Sequence, residues 1–276
     1  MIKKLLVTKN FIPKKFLDKR LIKRLSKKFQ KTIIDVFNEV SEEKKVLNIL
    51  SDQFKLNFKN EDLKKFKRFK TIAIIGMGGS ILAAEAINNF LENKIKKKVY
   101  FFNDLDSEKI LKFKKNNDLK KVLFLIISKS GNTIETLSNL FFLEIVKKKT
   151  KNIILIAEKN NNSLVELSKK FNLFYIEHKN YIGGRYSVFS EVGIIPALLM
   201  GLNVTKLKSN IMTFLKNKEK LFLKDSSVKL ACLLDTKKIN SLVFLNYSPE
   251  LNKFLYWCQQ LIAESLGKKG KGFLPM

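Results

Sequence analysis

The sequence predicts an α/β protein with a parallel sheet covered by helices on both faces, and three observations carry that prediction. Between residues 71 and 176, short runs of β-forming apolar residues alternate with stretches whose apolar positions recur at helical spacing. The runs are continuously apolar rather than alternating, as strands buried on both faces require. Several of them end in a Gly-, Ser- or Asn-rich turn that opens straight into the next helical stretch.

Taken in order, residues 14 to 40 place Phe16, Leu17, Leu21, Leu25, Phe29, Ile33, Phe37 and Val40 at helical spacing with lysines elsewhere. Such a helix packs onto its own protein or lies on a membrane surface; packing is the commoner fate. Residues 55 to 70 are lysine-rich and read as a solvated connection. Strand Ile72–Ile75 leads through Gly76-Met77-Gly78-Gly79-Ser80 into a helix over 81–91. Strand Val99–Phe102 ends at Asn103-Asp104, and a helix follows over 107–115. Strand Val122–Ile127 feeds Ser128-Lys129-Ser130-Gly131-Asn132-Thr133 and a helix over 134–148. Strand Ile153–Ala157 precedes a helix capped at Asn162 or Ser163, and Leu173–Ile176 is the fifth strand. Beyond Tyr181 the pattern changes. A Gly183–Ser187 loop precedes an apolar helix over 191–202 interrupted by Pro196, and 205–238 reads as two helices. Leu242–Leu245 is a new strand, Glu250–Leu266 a long helix, and Gly267–Met276 a lysine–glycine tail.

Bulk properties narrow the function. The formal net charge of +29 invites a nucleic-acid reading, yet only four of the 54 basic residues are arginine. Specific readers of bases lean on the planar, bidentate guanidinium, so lysine bias is the better account and no specific nucleic acid is expected. Cys232, Cys258 and the lone His178 supply neither a metal-ligand cluster nor a Ser-His-Asp constellation. No cofactor or metal is expected, and His178 reads as a surface or loop residue. No apolar run reaches the ~20 residues of a membrane span, and Leu5-Leu6-Val7 is too short for a signal peptide. The expectation is a soluble cytoplasmic protein without a membrane partner.

Two turns carry chemistry. The Gly76 turn lacks the third glycine of G-x-G-x-x-G, which falls at Ile81, although Asp104 can imitate the ribose-binding acid. It is either a ligand loop or a plain strand–helix turn. The Ser128 turn is stronger, because Ser128, Ser130 and Thr133 crowd three hydroxyls beside Lys129 at a helix start. Capping needs one hydroxyl; the others suit a phosphate at the positive end of the helix dipole. Both turns fall at carboxyl ends of strands, where parallel sheets bind ligands.

At these residues the chain resembles a family. Ser128–Thr136 is similar to the S-K-S/T-x-x-T-x-E-T signature of phosphoglucose isomerases, whose sheet is the sugar-isomerase (SIS) domain. Ile75–Ser80 resembles that family's other phosphate loop. Gly183-Gly184-Arg185-Tyr186-Ser187-Val188, through Gly193 and Pro196 to Gly201, resembles its G-G-R-F/Y-S segment. Gln259–Lys268 resembles its Q-x-x-x-E-S-x-G-K segment. Four blocks stand in family order.

The resemblance implies reversible interconversion of glucose 6-phosphate and fructose 6-phosphate through a cis-enediol. It makes Glu264 the base, its pKa tuned by partial burial, and Arg185 the group that stabilises the enediolate. Gly79, Ser80, Ser128, Lys129, Ser130 and Thr133 would hold the phosphate, with Gly184 and Gln260 placing the sugar. It also implies a homodimer. In the family the chain continues into a second SIS-like domain that supplies a ring-opening histidine and a late lysine; here it stops at Met276. The expected organisation is a helical arm (1–50), a five-stranded SIS domain (51–200), a helical connection (201–240) and an incomplete second α/β domain (241–276). Three readings remain: a shortened isomerase, a sugar-phosphate-binding SIS protein or regulator without turnover, and a basic nucleic-acid-associated protein.

Overall fold

The computed structural model describes residues 12–276 apart from 149, 216, 237, 238 and 269, so Leu5–Val7 lies outside the described residues. In chain order the elements begin with α1 (Lys19–Ser41), α2 (Asn60–Lys64), β1 (Thr71–Ile75), α3 (Leu82–Phe90), β2 (Lys98–Phe102) and α4 (Ser107–Asn116). They continue with β3 (Val122–Ile127), α5 (Ile134–Phe142), β4 (Ile153–Ala157), α6 (Ser163–Phe171), β5 (Phe174–Glu177) and α7 (Glu191–Leu199). The last are α8 (Val204–Lys208), α9 (Asn217–Asp235), β6 (Ser241–Leu242), α10 (Asn252–Leu266) and β7 (Leu274–Pro275). Two compact units result, one of residues 53–207 and 245–261, the other of 208–244, 262–276 and the described residues up to 52.

The first unit holds the five-stranded parallel sheet, ordered β2-β1-β3-β4-β5. Every residue of β3 and of β4 is buried, which explains their unbroken apolar runs. Alternate side chains divide between two cores. Ile72, Ile74, Leu123, Leu125, Ile154 and Ile156 face one side and pack with Ala84 of α3 and Val192 and Ile195 of α7. Ala73, Ile75, Phe124, Ile126, Ile153 and Leu155 face the other, against Ile110 of α4, Leu140 of α5 and Leu164 of α6. With β1 and β3 adjacent, chain connections leave them in opposite directions along the sheet. That reversal is a topological switch point, where loops splay apart and leave a crevice.

The segment 55–70 is not a solvated connection. Leu63, Phe66 and Phe69 recur every third residue and are buried in the first core, with Phe66 packed 5.2 Å from the Phe174 ring. Lys65 lays its ammonium over the aromatic rings, 4.7 Å from the Phe174 centroid. The helix expected to reach residue 148 ends at Phe142. Lys114 Nζ donates to the Phe142 carbonyl at 3.2 Å, and Glu144 turns into the left-handed region at φ 55°. α7 continues through Pro196 and stops at Leu199; almost all its residues are buried, so packing holds the turn that proline weakens.

In the second unit α1 packs on α9, and Arg24 meets Asp235 at 3.3 Å. Ile33 and Val40 bury the inner stripe of α1, as the amphipathic pattern requires. The expected strand over 242–245 is reduced to β6, which pairs in parallel with β7 inside the stretch read as a tail. Over residues 205–238 the two expected helices are α8 and α9, with a 3-10 turn at Ile211–Leu215 between them.

Candidate functional site

The two turns leave adjacent strands at the same end. Ile75 is in register with Ile126, and Gly76 follows so closely that a Cβ there would lie 2.8 Å from the Ile127 carbonyl. Gly78 adopts φ +52°, which lets the chain turn sharply into α3.

The Ser128 turn is a hydroxyl network. Ser128 Oγ lies 2.8 Å from Thr133 Oγ1 and 3.5 Å from Ser130 Oγ, and it accepts the Gly131 N–H at 3.1 Å. Asn132 N–H donates to Ser130 Oγ at 3.3 Å. Thr133 occupies the N-cap of α5, yet its side chain makes no capping hydrogen bond. Its hydroxyl turns back to Ser128 instead. The first N–H groups of a helix have no intrahelical acceptor, so a ligand anion meets donors here. Two asparagines fix the turn. Asn132 Oδ1 accepts from the Ser163 N–H and hydroxyl at 2.9 Å each, while Asn162 caps α6 through the Val165 N–H. Gly131, at φ +68°, presses so close to Asn162 that an added Cβ would collide with its amide.

Within this turn, Lys129 is drawn away from the hydroxyls. Its ammonium meets Glu158 at 3.2 Å and donates to the Asn180 carbonyl at 3.0 Å.

The Gly76 turn meets the arginine segment, which is a 3-10 turn over Gly184–Phe189 rather than an open loop. Gly79 and Gly184 touch backbone to backbone; a Cβ on Gly79 would lie 2.3 Å from Gly184 carbon. Ser187, buried, shares its hydroxyl hydrogen between the Gly79 carbonyl at 3.0 Å and the Gly184 carbonyl at 2.6 Å. Arg185 stacks its guanidinium 4.6 Å over the Tyr186 ring. Gln260 arrives from α10, its Nε2 3.2 Å from where a Cβ on Gly78 would stand. Gly79, Ser80, Gly184, Arg185 and Gln260 thus share one neighbourhood. Glu264 lies four residues further along α10, in its last turn. It is exposed, not partly buried, as is Ala263 beside it.

His178 is the clearest departure from expectation. It is buried, 1% exposed, and faces an equally buried Glu191 with Nδ1 4.0 Å from Oε2. Burial lowers the His178 pKa to about 4, helped by Lys129 and Lys179 and opposed by its hydrogen bond to the Ile182 carbonyl. Burial raises the Glu191 pKa, against the Asn57 N–H that donates to its Oε1 at 2.7 Å. No pattern in the sequence signals this pair, because its members come from the end of β5 and the start of α7. The Ser187 contact had a signal in its place within the arginine block. A second buried carboxylate, Glu85, accepts from Asn103 at 2.9 Å and has its pKa raised by burial despite Lys253 nearby.

An open groove of about 560 Å³, lined by Arg68, Lys120, Lys147 and Lys151 among others, lies at the amino ends of the strands. Ligands of parallel sheets collect at the carboxyl ends, so this groove is not the candidate site. Among the described residues no group of three or more His, Cys, Asp or Glu side chains could hold a metal, and no helix is long and apolar enough to cross a membrane.

Comparison with known proteins matches residues 20–271 to the family model described as phosphoglucose isomerase. A probable glucose-6-phosphate isomerase of Methanococcus maripaludis is 32% identical over 88% of this chain and 61% of its own length. The glucose-6-phosphate isomerase of Methanocaldococcus jannaschii is 31% identical over 79% of this chain and 56% of its own. The chain thus spans about three-fifths of the length of these curated relatives. Among solved structures, a hypothetical protein of Thermus thermophilus superposes with a TM-score of 0.72 at 23% identity, over 94% of this chain and 68% of that one. That likeness is one of fold.

Proposed function

The chain belongs to the phosphoglucose isomerase family, and from that premise we propose that it serves the reversible isomerisation of glucose 6-phosphate and fructose 6-phosphate. The observation that most supports this reading is the Thr133 hydroxyl, which bonds Ser128 at 2.8 Å in place of capping α5. A turn built only to start a helix would spend that oxygen on the helix.

In this reading Ser80, Ser128, Ser130 and Thr133 bind the phosphate with the first N–H groups of α5. Lys129 joins them by exchanging Glu158 for the ligand. Beside the Gly79–Gly184 contact the absence of side chains exposes bare backbone to sugar hydroxyls, and Gln260 orients them. Remote phosphate binding then holds the reacting carbons in place. On the open-chain sugar Glu264 takes the C2 proton and returns it to C1, the O2 hydroxyl proton passes to O1, and Arg185 stabilises the enediolate oxygen between the two carbon transfers. Neither step calls for a metal or an organic cofactor. The working form is a cytoplasmic homodimer, a reading that the two free cysteines support by suiting a reducing compartment.

A coupled assay with fructose 6-phosphate, run on wild type and Glu264→Gln, tests the assignment. Loss of the base is expected to cut turnover by about 10²–10⁴-fold while sugar-phosphate binding persists. Calorimetry showing no binding of either hexose phosphate would sink the proposal. Binding without turnover in the wild type would leave a sugar-phosphate-binding protein or regulator.

A further inference from the structure

We propose that Trp257 is a positioning residue that holds the Arg185 backbone in place for a negative charge at the sugar's reacting end. The inference rests on the sugar-phosphate reading above. It begins with helix α10, which touches three separate parts of the sheet unit in three successive turns.

The first contact is with α3. Lys253 N–H donates to Asn89 Oδ1 at 3.3 Å, and its ammonium meets the buried Glu85 at 3.5 Å. One turn later Trp257 Nε1 donates to the Arg185 carbonyl at 2.8 Å. The next turn brings Gln260 against Gly78. The indole therefore links the helix to the arginine segment, between its anchor on α3 and its contact with the glycine turn. Phe254, 5.6 Å away and edge-on, supports the ring.

The bond falls on the main chain of the very residue whose side chain is to meet charge. Arg185 has its guanidinium stacked on Tyr186, so the side chain's aim follows the backbone of both residues. Fixing the Arg185 carbonyl limits rotation of that backbone. Without the indole N–H the Arg185 carbonyl loses a part-buried partner, and the tie between α10 and the arginine turn is weakened. The phosphate turn is untouched by this change, because Trp257 has no hydrogen bond to it. Loss of Trp257 should therefore fall on charge at the sugar's C1–C2 end and spare the phosphate end.

Two ligands separate the ends. 6-Phosphogluconate carries a carboxylate at C1, whereas sorbitol 6-phosphate has the same phosphate and a neutral C1. In calorimetric titrations Trp257→Phe should weaken 6-phosphogluconate by about tenfold, the value of one part-buried hydrogen bond. Sorbitol 6-phosphate should change less than about threefold, a difference too small to represent a lost hydrogen bond. Equal weakening of both, or no weakening of either, overturns the positioning role. Wild type that binds neither ligand overturns the sugar-phosphate reading itself, which is a different result. Should the variant not fold, wild-type fluorescence decides, since Trp257 is the only tryptophan of the chain. Its emission should shift more with 6-phosphogluconate than with sorbitol 6-phosphate, and equal shifts would refute the proposal.

Discussion

The turns that follow β1 and β3 sit side by side at the switch point but are built on opposite principles. The Gly76–Ser80 turn is made by removing side chains. Gly76 lies under a carbonyl of β3 and Gly79 presses on Gly184, so the turn exists because two backbones meet with nothing between them. The Ser128–Thr133 turn is made by adding side chains, with hydroxyls and flanking asparagines bonding one another and the main chain. One turn is a steric joint and the other a polar cradle. Added bulk in the first should therefore cost the most stability, and loss of hydroxyls in the second should cost ligand.

The largest effect is expected at the joint. Gly79→Ala places a methyl 2.3 Å from Gly184 backbone, where no side-chain rotation can relieve it. Overpacking against fixed backbone should cost about 3 kcal/mol, at the upper end of its usual range. Thermal melting should fall by about 10 °C on the scale for a domain of this size. An unchanged melting point would mean that the two segments do not meet as described.

Gly131→Ala tests the one glycine of the cradle. A positive φ is unfavourable for alanine by about 1 kcal/mol, and displacing Asn162 adds to that. The expected loss is about 2 kcal/mol, because a side-chain amide yields more readily than backbone. A loss as large as that of Gly79→Ala would erase the distinction between the turns.

Ser130→Ala with Thr133→Ala should leave the melting point within a few degrees while weakening phosphosugar binding by about tenfold or more. A collapse in stability with binding intact would return Thr133 to a structural part.

The smallest effect sharpens the steric side. Glu191 and His178 bracket the arginine segment from its far ends, and their burial sets opposite pH limbs. A raised Glu191 pKa adds stability that is present below its ordinary value of 4.5 and is lost as pH climbs through the folded value. A His178 pKa lowered to about 4 adds stability that is present above 6.5 and is lost as pH falls toward 4. Glu191→Gln keeps the neutral shape and removes only the first limb. Its melting point should therefore gain on wild type as pH is raised from 5 to 9, leaving the acid limb in place. A constant difference across that range would contradict the assignment.

Much of the architecture was legible because local chemistry and final fold agree. The run Val122–Ile127 is a strand with those bounds, and the hydroxyls after it form a turn, since both signals lie within a few residues. The stretch over 55–70 misled because its lysines dominate composition while Leu63, Phe66 and Phe69 decide where it packs. Lys129, His178 and Trp257 were opaque for another reason. What each side chain meets is set by Glu158, Glu191 and Arg185, partners brought near only by the completed sheet. Periodicity says which face a residue is on; it does not say whose carbonyl waits there.

The seam between Gly79 and the arginine segment also has a consequence in time. Ser187 reaches Gly79 across 108 positions of chain, and Asn57 reaches Glu191 across 134. Contacts that close such long loops forfeit much chain entropy before they return any energy, so they form late. During synthesis the hydroxyl cradle can fold against β1 and β3 while the arginine segment is still inside the ribosome. On the proposed reading, the turn assigned to the phosphate is thus formed before the segment assigned to the sugar. Pulsed hydrogen exchange should find the Gly131 amide protected ahead of those at Gly184–Ser187. On that reading the binding turn is assembled first, and the groups proposed for the chemistry arrive last.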